Sequence, residues 1–527
     1  MRLWIRNGTV VDGTGASGRA ADLLVEGDTI VAVGSAIVPE DAPATELLDA
    51  TGLVVAPGFI DLHSHSDIAL IADPLVQCKL AQGITLELLG QDGMSVAPLT
   101  SSMAPLWRRH LRGLTGSYDL DWDWDSYDHY LRRLTPTAAN VATLVGHGTL
   151  RLNVIGMEQR PATQPELDLM VALLREALDA GAFGLSGGLV YTPGAYADLR
   201  ELVALNRLVA AAGKIWVVHM RFEGDRIMQG LEEMFQLVEQ TGVALHISHF
   251  KALGRKNWGR APEIIARIEE QRARGMDITV DQYPYTAGST MLSAILPPWA
   301  HAEGPSQLRA YLEDPGLLRR IEREVDTGLP DWEGFVAGAG WEQIVIVDIA
   351  GGHHQQLVGR SLAAIGTDWG CTPFEAAVRL LLDADFAVSM VIHAMAEADV
   401  SDFMRMPWRM GGTDALLGGK PHPRAYGSYP RILGHYVRER GLIALEEAVR
   451  QMTSAPARRL RLADRGVIAP GMKADLCLFD PVRVRDRATF TDPTQPPEGI
   501  VWVFVNGRPV LHEGRPTGEY PGVLLRQ

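Results

Sequence analysis

The middle of the chain, residues 56–460, alternates short apolar runs with amphipathic helical stretches. Candidate strands span residues 83–89, 141–145, 183–186, 214–219, 244–249, 276–283 and 387–393. Helical patterns, such as those over 164–180 and 261–274, separate several of these runs. Such alternation is typical of parallel βα units. About eight units in this length favour an α/β fold, a (β/α)8 TIM-like barrel with insertions, over an open doubly wound sheet.

Both ends of the chain contain short β-like runs broken by turn signals, including the turn Asn506-Gly507. We therefore predict that residues 1–55 and 461–527 form the two parts of one small β-sandwich domain beside the barrel. Two unrelated terminal ribbons are the alternative. Residues 284–343 are too long and irregular for an ordinary βα loop, and we predict a lid-like insertion there.

Composition excludes several classes of protein. The formal net charge is −15 and no basic stripe offsets it, so nucleic acid is not an expected partner. The three cysteines show no CxxC spacing, which favours a reducing compartment over a disulfide framework. No apolar stretch suits a signal peptide or a membrane span, and no GxGxxG or P-loop motif follows an early strand. We expect a cytoplasmic protein without a membrane partner.

Four histidines stand at the ends of three predicted strands. His63 and His65 follow the apolar run VVAPGFID, His219 ends the run 214–219, and His249 ends the run 244–249. Side chains alternate along a strand, so the first two point the same way. Neutral imidazole is a common zinc ligand, and histidines on three strand ends converge only in a closed barrel. The alternative for each is an ordinary core or surface histidine.

A carboxylate follows the last predicted βα unit. Residues 410–414 read MGGTD, so Asp414 stands where an eighth barrel strand should end. A carboxylate at that place can bind a metal ion and accept a proton from the attacking water. The alternative is that Asp414 caps a helix beginning at Ala415-Leu416.

These residues resemble the amidohydrolase superfamily, and within it the N-acyl-D-amino-acid deacylases, or D-aminoacylases. The likeness runs nearly end to end. The motifs that carry it are APGFIDLHSHSD at 56–67, GHGTLR at 146–151, GLSGGLVYTPGAYAD at 184–198, HMRFEGD at 219–225, SHFKALGRKNWG at 248–259, DQYPYTAGST at 281–290, GGTDA at 411–415, HPRAYGSYPRILGHYVRE at 422–439 and TSAPARRL at 453–460.

The resemblance implies a metal-dependent hydrolase that cleaves N-acyl-D-amino acids, small-molecule substrates, to a carboxylate and a free D-amino acid. Asp414 would serve as general base and then general acid. The implied metal ligands, for one or two divalent ions with zinc first and Mn or Co as alternatives, are His63, His65, His219, His249 and Asp414. A cyclic-amide or other amide hydrolase of the same superfamily (hydantoinase-, dihydroorotase- or dipeptidase-like) is the second interpretation, and a non-catalytic scaffold is the third.

The chain departs from the deacylase pattern at one position. The deacylases that the chain resembles carry a GNCG motif after strand 2, whose cysteine is a metal ligand. This chain has Gly90-Gln91-Asp92-Gly93 in its place. Many superfamily members bridge two metals with a lysine from strand 4, but residues 183–186 contain none. Lys214 lies about 16 Å from His219 along its strand, at the wrong end. Asp92 is therefore the remaining bridging candidate, and a carboxylate there favours Mn or Co more than a thiolate does. The alternative is that Asp92 caps a turn.

Basic and hydroxyl residues near these motifs predict how the substrate carboxylate is held. The resemblance implies Lys251, Tyr283 and Arg424 for this contact, with Ser289 and Tyr191 nearby. Lys251 lies two residues past His249 on the same face, which supports it independently. For Arg424 a solvated loop position is the alternative. The preferred acyl group, the amino-acid side chain and the oligomeric state remain open at this stage.

Overall fold

The computed structural model describes residues 2–35, 37, 45–116 and 118–527. Its centre is a ring of eight parallel strands. They are β1 (Phe59–Asp61), β2 (Ile84–Leu89), β3 (Asn140–Thr143, continued by Val145–Gly146), β4 (Gly184–Gly188), β5 (Ile215–His219), β6 (Ala244–Ile247), β7 (Ile278–Gln282) and β8 (Arg409–Gly411).

Parallel pairing connects each of these strands to the next one in chain order, from β1 to β8. The ring closes where Leu62 N–H donates to the Gly411 carbonyl and where Ser64 forms a parallel bridge with Ala415. The predicted (β/α)8 barrel is confirmed. Because all strands run the same way, their carboxyl ends meet at one mouth, where barrel enzymes place catalytic residues.

Helices pack around the barrel and on the insertion. They span Asp67–Ala72, Gln77–Leu80, Ala104–His110, Arg112–Thr115, Tyr127–Arg133, His147–Ile155, Gln164–Asp179, Leu199–Ala211, Ile227–Thr241, Ala261–Ala273, Pro305–Glu313, Pro315–Thr327, Phe335–Ala339, Leu362–Trp369, Pro373–Asp383, Glu397–Met404, Arg424–Arg431, Ile432–Glu439 (a π-helix), Leu445–Met452 and Ser454–Arg459. No helix in the described part of the chain is long and apolar enough to cross a lipid bilayer.

Local sequence explains the long barrel helices. The helix Gln164–Asp179 begins with a capping box between Thr163 and Glu166, which satisfies backbone N–H groups that the first turn leaves free. It buries Leu167, Met170 and Leu174, spaced three to four residues apart, against the barrel core. The apolar stripe therefore fixes which face of the helix packs on the strands.

Both chain ends join one sheet beside the barrel. Its strands are Arg2–Val10, Arg19–Glu26, Thr29–Gly34, Glu46–Asp49, Val54–Pro57, Leu476–Phe479, Ile500–Val505, Arg508–His512 and Arg515–Pro516. The two ends meet where Val54–Pro57 pairs antiparallel with Leu476–Phe479. Along the latter strand, Leu476 and Leu478 enter the core of the chain-end domain, whereas Cys477 and Phe479 pack towards the barrel helices. Pairing runs through one continuous sheet with an apolar core on each face, rather than through two separate sheets.

The chain leaves the barrel between β7 and β8. Three strands there, Ala287–Met291, Ile344–Ile349 and Val388–His393, form an antiparallel sheet with its own hydrophobic cluster. We call residues 283–395 the insertion; it continues well past residue 343, where the sequence predicts its end. The predicted strand over 387–393 belongs to this sheet and not to the barrel. An apolar run of this length fits either setting, since only its pairing partners distinguish them.

Candidate metal centre

Six side chains from five barrel strands meet at the mouth of the barrel. They are His63 and His65 after β1, Asp92 after β2, His219 at the end of β5, His249 after β6 and Asp414 after β8. Asp92 lies at the centre of this group. Its Oδ2 atom is 3.3 Å from His65 Nε2 and 3.6 Å from His63 Nε2, and its Oδ1 atom is 3.5 Å from His249 Nε2.

The donor atoms of this group fit a divalent metal ion. His63 Nε2, Asp92 Oδ1 and His219 Nδ1 are all buried without a hydrogen-bond partner, although such orphaned atoms are costly. Two sets of ligand atoms each lie within 4.8 Å of one another, and Asp92 belongs to both: His63, His65, Asp92 and Asp414 form one set, and Asp92, His219 and His249 form the other. Imidazole nitrogens with carboxylate oxygens suit zinc and harder divalent metals.

Three of the six residues have a left-handed backbone. The φ angles are 53° at Asp92, 34° at His249 and 50° at Asp414. This conformation costs a side-chain-bearing residue roughly 1–2 kcal/mol and persists only where surrounding structure fixes it. The sharp turn just past each strand end directs the side chain into the barrel mouth.

Asp281, at the end of β7, holds His63 and His249, although the sequence pattern predicts no role for it. Its Oδ2 atom lies 3.4 Å from His63 Nδ1 and 3.0 Å from His246 Nε2, and its Oδ1 atom accepts the His249 backbone N–H. Burial alone would raise the pKa of Asp281, but His63 and His246 hold it below its usual value. Asp281 therefore orients the His63 ring so that Nε2 faces Asp92. Its position at a predicted strand end was the available signal.

Glu223 contacts the outer nitrogens of two cluster histidines, and it also had no predicted role. Its Oε2 atom lies 3.2 Å from His219 Nε2, and its Oε1 atom lies 3.3 Å from His249 Nδ1. The same Oε1 accepts a 2.8 Å hydrogen bond from Lys251 Nζ. Burial would raise the pKa of Glu223, but His219 and Lys251 lower it well below its usual value. Lys251 Nζ also donates to His249 Nδ1 at 2.8 Å, so Glu223 and Lys251 together orient the two rings towards Asp92.

Asp61 lies below the cluster rather than in it. The strand pattern predicts that it points the same way as His63, but its carboxylate accepts hydrogen bonds from Lys79 Nζ at 2.6 Å and from the Thr413 backbone N–H at 2.8 Å. Burial would lower the pKa of Lys79, but Asp61 and Glu87 raise it above its usual value. This buried ion pair ties the end of β1 to the segment that carries Asp414.

Asp414 and Arg424 form a buried pair at the edge of the cluster. Arg424 Nη1 is 2.7 Å from Asp414 Oδ2, whereas Asp414 Oδ1 faces His65 Nε2 at 3.3 Å. Arg424 is only 1% exposed, so the solvated-loop alternative is wrong. No helix begins after Asp414, so the capping alternative is wrong as well. Burial would raise the pKa of Asp414, but Arg424 and His63 lower it.

The other predicted residues line the same cavity: Lys251, Tyr283, Ser289 and Tyr191. Tyr191 shares a 2.9 Å hydrogen bond with the Thr290 hydroxyl, and the Arg424 guanidinium stacks 4.6 Å from the centre of the Tyr283 ring. Lys214 is absent from this cavity. Its Nζ donates to backbone carbonyls at the opposite end of the barrel, where the sequence places it.

A closed parallel barrel with imidazole and carboxylate donors at its mouth defines the class of metal-dependent barrel hydrolases. The chain belongs to the Amidohydrolase family, whose model matches residues 46–314 and 315–511. The superfamily resemblance seen in the sequence is confirmed.

Two relatives of this chain are deacylases of D-amino-acid derivatives by name. A D-aminoacylase from Alcaligenes xylosoxydans xylosoxydans is 37% identical over 99% of this chain and 97% of its own length. An N-acyl-D-glutamate deacylase from the same organism is also 37% identical, over 100% of this chain and 96% of its own.

A solved structure shows the same fold with a bound metal. The N-acyl-D-glutamate deacylase from Bordetella bronchiseptica, complexed with zinc and a phosphonate inhibitor that mimics the tetrahedral intermediate, superposes with a TM-score of 0.83. It is 34% identical and the match covers 100% of this chain and 99% of that one. The chain is a metal-dependent amidohydrolase, and the non-catalytic scaffold alternative is wrong.

Proposed function

We propose that this enzyme hydrolyses the amide bond of N-acyl-D-amino acids to a carboxylate and a free D-amino acid. The observation that carries the proposal is the Asp414–Arg424 pair, which sets a proton acceptor beside a buried cation in one cavity. An acylated amino acid presents its scissile amide next to a carboxylate, so it needs both groups close together. The two relatives with D-amino-acid names support the D configuration.

The metal would be held by the six clustered residues, His63, His65, Asp92, His219, His249 and Asp414. Asp92, common to both ligand sets, is the bridging candidate for two ions, and zinc is the first choice with Mn or Co as alternatives. When bound, a divalent ion lowers the pKa of a water molecule towards neutrality and polarises the amide carbonyl.

Asp414 moves the proton. Its carboxyl is ionised at neutral pH because its pKa is lowered, although burial opposes this, by Arg424 and His63. Arg424 holds Oδ2, which leaves Oδ1 directed at the cluster to accept a proton from the attacking water. Asp414 then donates that proton to the leaving nitrogen, which cannot depart as an amide anion.

The substrate carboxylate binds in the same cavity, near Arg424, Lys251 and Tyr283, with Ser289 and Tyr191 close by. Lys251 supplies a cation, and the Tyr283 hydroxyl is buried without a well-formed hydrogen bond. Charge-assisted hydrogen bonds to such groups are the strong ones in proteins. Lys251 and Tyr283 therefore fix which side of the amide faces Asp414.

The cavity is small. Its volume is about 30 Å³, too small for an N-acyl amino acid. Residues of the insertion, including Ser289, Phe335 and Ile392, form much of its wall. We propose that the insertion acts as the lid predicted from the sequence and moves outward to admit the substrate.

Paired D and L substrates test the proposal. Protein stripped of metal by chelation and then reconstituted with zinc is assayed with N-acetyl-D- and N-acetyl-L-amino acids, and with hydantoin as a cyclic amide. We expect hydrolysis of the D series only after zinc is restored, with kcat/KM at least about a hundredfold above that of the L series. Full activity without metal, or faster opening of the hydantoin ring, would contradict the proposal.

A further inference from the structure

We infer that the enzyme prefers N-acyl-D-amino acids with apolar side chains, such as D-leucine and D-phenylalanine, over those with acidic side chains. This inference rests on the proposed function and adds the class of side chain. Sequence similarity leaves the question open, because the D-aminoacylase and the N-acyl-D-glutamate deacylase are both 37% identical to this chain. The lining of the cavity carries the argument.

An apolar wall faces the metal cluster. Leu253, Phe335 and Ile392 all line the cavity and are 7%, 6% and 2% exposed. They belong to the same hydrophobic cluster, and we call these three residues the apolar wall. Leu253 lies four residues after His249, so the wall begins beside the cluster. Leu114 adds a further apolar contact to the cavity lining.

The wall adjoins the groups proposed to bind the substrate carboxylate. Ile392 lies on the strand Val388–His393, directly opposite Gly288 on the strand Ala287–Met291, and a Cβ atom on Gly288 would lie 3.5 Å from the Tyr283 hydroxyl. The loop that carries Leu253 is tied to the same sheet, because Gly254 N–H donates to the Ala394 carbonyl. A substrate whose carboxylate lies near the Tyr283 hydroxyl therefore has the apolar wall within reach of its side chain.

The positive charges of the cavity are already paired. Among the described lining residues the cations of Lys and Arg type are Lys251 and Arg424. Lys251 Nζ is 2.8 Å from Glu223, and Arg424 Nη1 is 2.7 Å from Asp414. The α-carboxylate of the substrate would draw on these two groups. A second carboxylate would have to be buried without a partner of its own, which is unfavourable, whereas an apolar side chain gains from burial against the wall.

Five N-acetyl-D-amino acids separate size from charge on the zinc-loaded enzyme: D-Leu, D-Phe, D-Ala, D-Gln and D-Glu. We expect kcat/KM for D-Leu and D-Phe to exceed that for D-Ala by about tenfold or more. D-Gln and D-Glu have nearly the same shape, and we expect D-Gln to exceed D-Glu by at least about tenfold. Faster hydrolysis of D-Glu than of D-Gln and D-Leu would overturn the inference and leave the proposed function intact. Hydrolysis of none of the five would overturn both.

Variants locate the preference in the wall. We expect Phe335→Ala to lower the ratio of kcat/KM between D-Leu and D-Ala by about five- to tenfold, because it removes contact area from the side-chain site. Phe374→Ala is the matched control, since Phe374 is buried in the same hydrophobic cluster but outside the cavity lining. It should lower the melting temperature without changing the ratio. Ile392→Val is a milder test, expected to lower the ratio about two- to threefold. An unchanged ratio in both wall variants would overturn the inference.

Discussion

Gly188 and Asp92 approach each other so closely that a Cβ atom on Gly188 would lie 2.0 Å from the Asp92 carbonyl oxygen. Gly188 ends β4, and the turn that carries Asp92 packs directly on it. A side chain at this position would force the turn, and with it the central carboxylate of the cluster, to move. Asp92 can therefore take its observed position only because the last residue of β4 is glycine.

We expect Gly188→Ala to lower zinc content and kcat together, because the Asp92 turn has to shift. Zinc per chain by plasma mass spectrometry, beside the melting temperature, measures the effect. Gly34→Ala is the control, since a Cβ there meets no atom within 4 Å. Wild-type zinc content in the Gly188 variant would contradict this prediction. It would show that the Asp92 turn can shift without loss of metal binding.

Asp92 itself is tested by a change of charge at constant size. Asp92→Asn should bind less metal than the wild type, because a neutral amide is a poorer ligand than a carboxylate. Asp92→Cys should retain zinc and respond less to Mn, since thiolate is the softer donor. Metal stoichiometry of the Asn variant is the deciding measurement. Full occupancy with near wild-type activity would mean that Asp92 serves only the turn.

Glu223 should act through the two histidines that it orients. Removing a side chain that positions the histidine ligands of a metal typically costs ten- to a hundredfold in metal affinity, so we expect zinc to bind Glu223→Gln about that much more weakly. Competition with a chromophoric chelator gives the dissociation constant. Asp225→Asn, two residues along the same loop and exposed, should leave it unchanged. Equal affinities in the two variants would refute the positioning role.

The Tyr283 hydroxyl should bind substrate without stabilising the fold. It is buried and makes no well-formed hydrogen bond in the protein, so Tyr283→Phe should leave the melting temperature within a degree or so of wild type. We expect kcat/KM for N-acetyl-D-amino acids to fall about ten- to a hundredfold, the worth of a hydrogen bond to a charged group. The corresponding N-acetyl amine, which lacks the carboxylate, should lose little. Equal losses of kcat/KM for the two substrates would show that the Tyr283 hydroxyl does not contact the substrate carboxylate.

Two buried histidines outside the metal cluster should make the fold sensitive to acid. Burial and the neighbouring His301 lower the pKa of His110 to about 3, and burial lowers the pKa of His301 to about 4. Both stay neutral in the folded protein, whereas in the unfolded chain they take up protons below about pH 6.5. Stability is therefore unaffected above that pH and falls below it, by up to roughly 2 kcal/mol per histidine at pH 5.

Replacing one of these histidines should remove part of that loss. His110 stacks on Trp107, so His110→Phe keeps a ring in the same place. We expect the urea midpoint of this variant to fall less between pH 7 and pH 5 than that of the wild type. Identical shifts would show that protonation of His110 plays no part in acid unfolding.

The sequence predicts the cluster well because its signals are local. His63 and His65 point the same way by strand alternation, and His219 ends an apolar run, so each position follows from a few neighbours. Glu223 and Asp281 were missed because their roles depend on contacts between different strand ends. Glu223 lies four residues after a histidine on a loop, and no periodicity relates it to His249.

The length of the insertion could not be predicted for a similar reason. The run 387–393 has the composition of a barrel strand, and its antiparallel partners lie about 45 and 100 residues earlier in the chain. The true eighth strand, Arg409–Gly411, spans three residues and gives almost no apolar signal. Only the closure with β1 identifies it.

The hydrophobic cluster of the insertion is separate from that of the barrel. Substitutions in one cluster can therefore accumulate independently of substitutions in the other. Substitutions at Phe335 or Ile392 lower the stability of the insertion. They leave the strand ends at the barrel mouth unchanged. The side-chain specificity of the enzyme can therefore change during evolution while the clustered histidines and carboxylates stay in place. The same division gives protein engineers a segment to vary, provided that Tyr283 and Ser289, which belong to the insertion and line the substrate cavity, are kept.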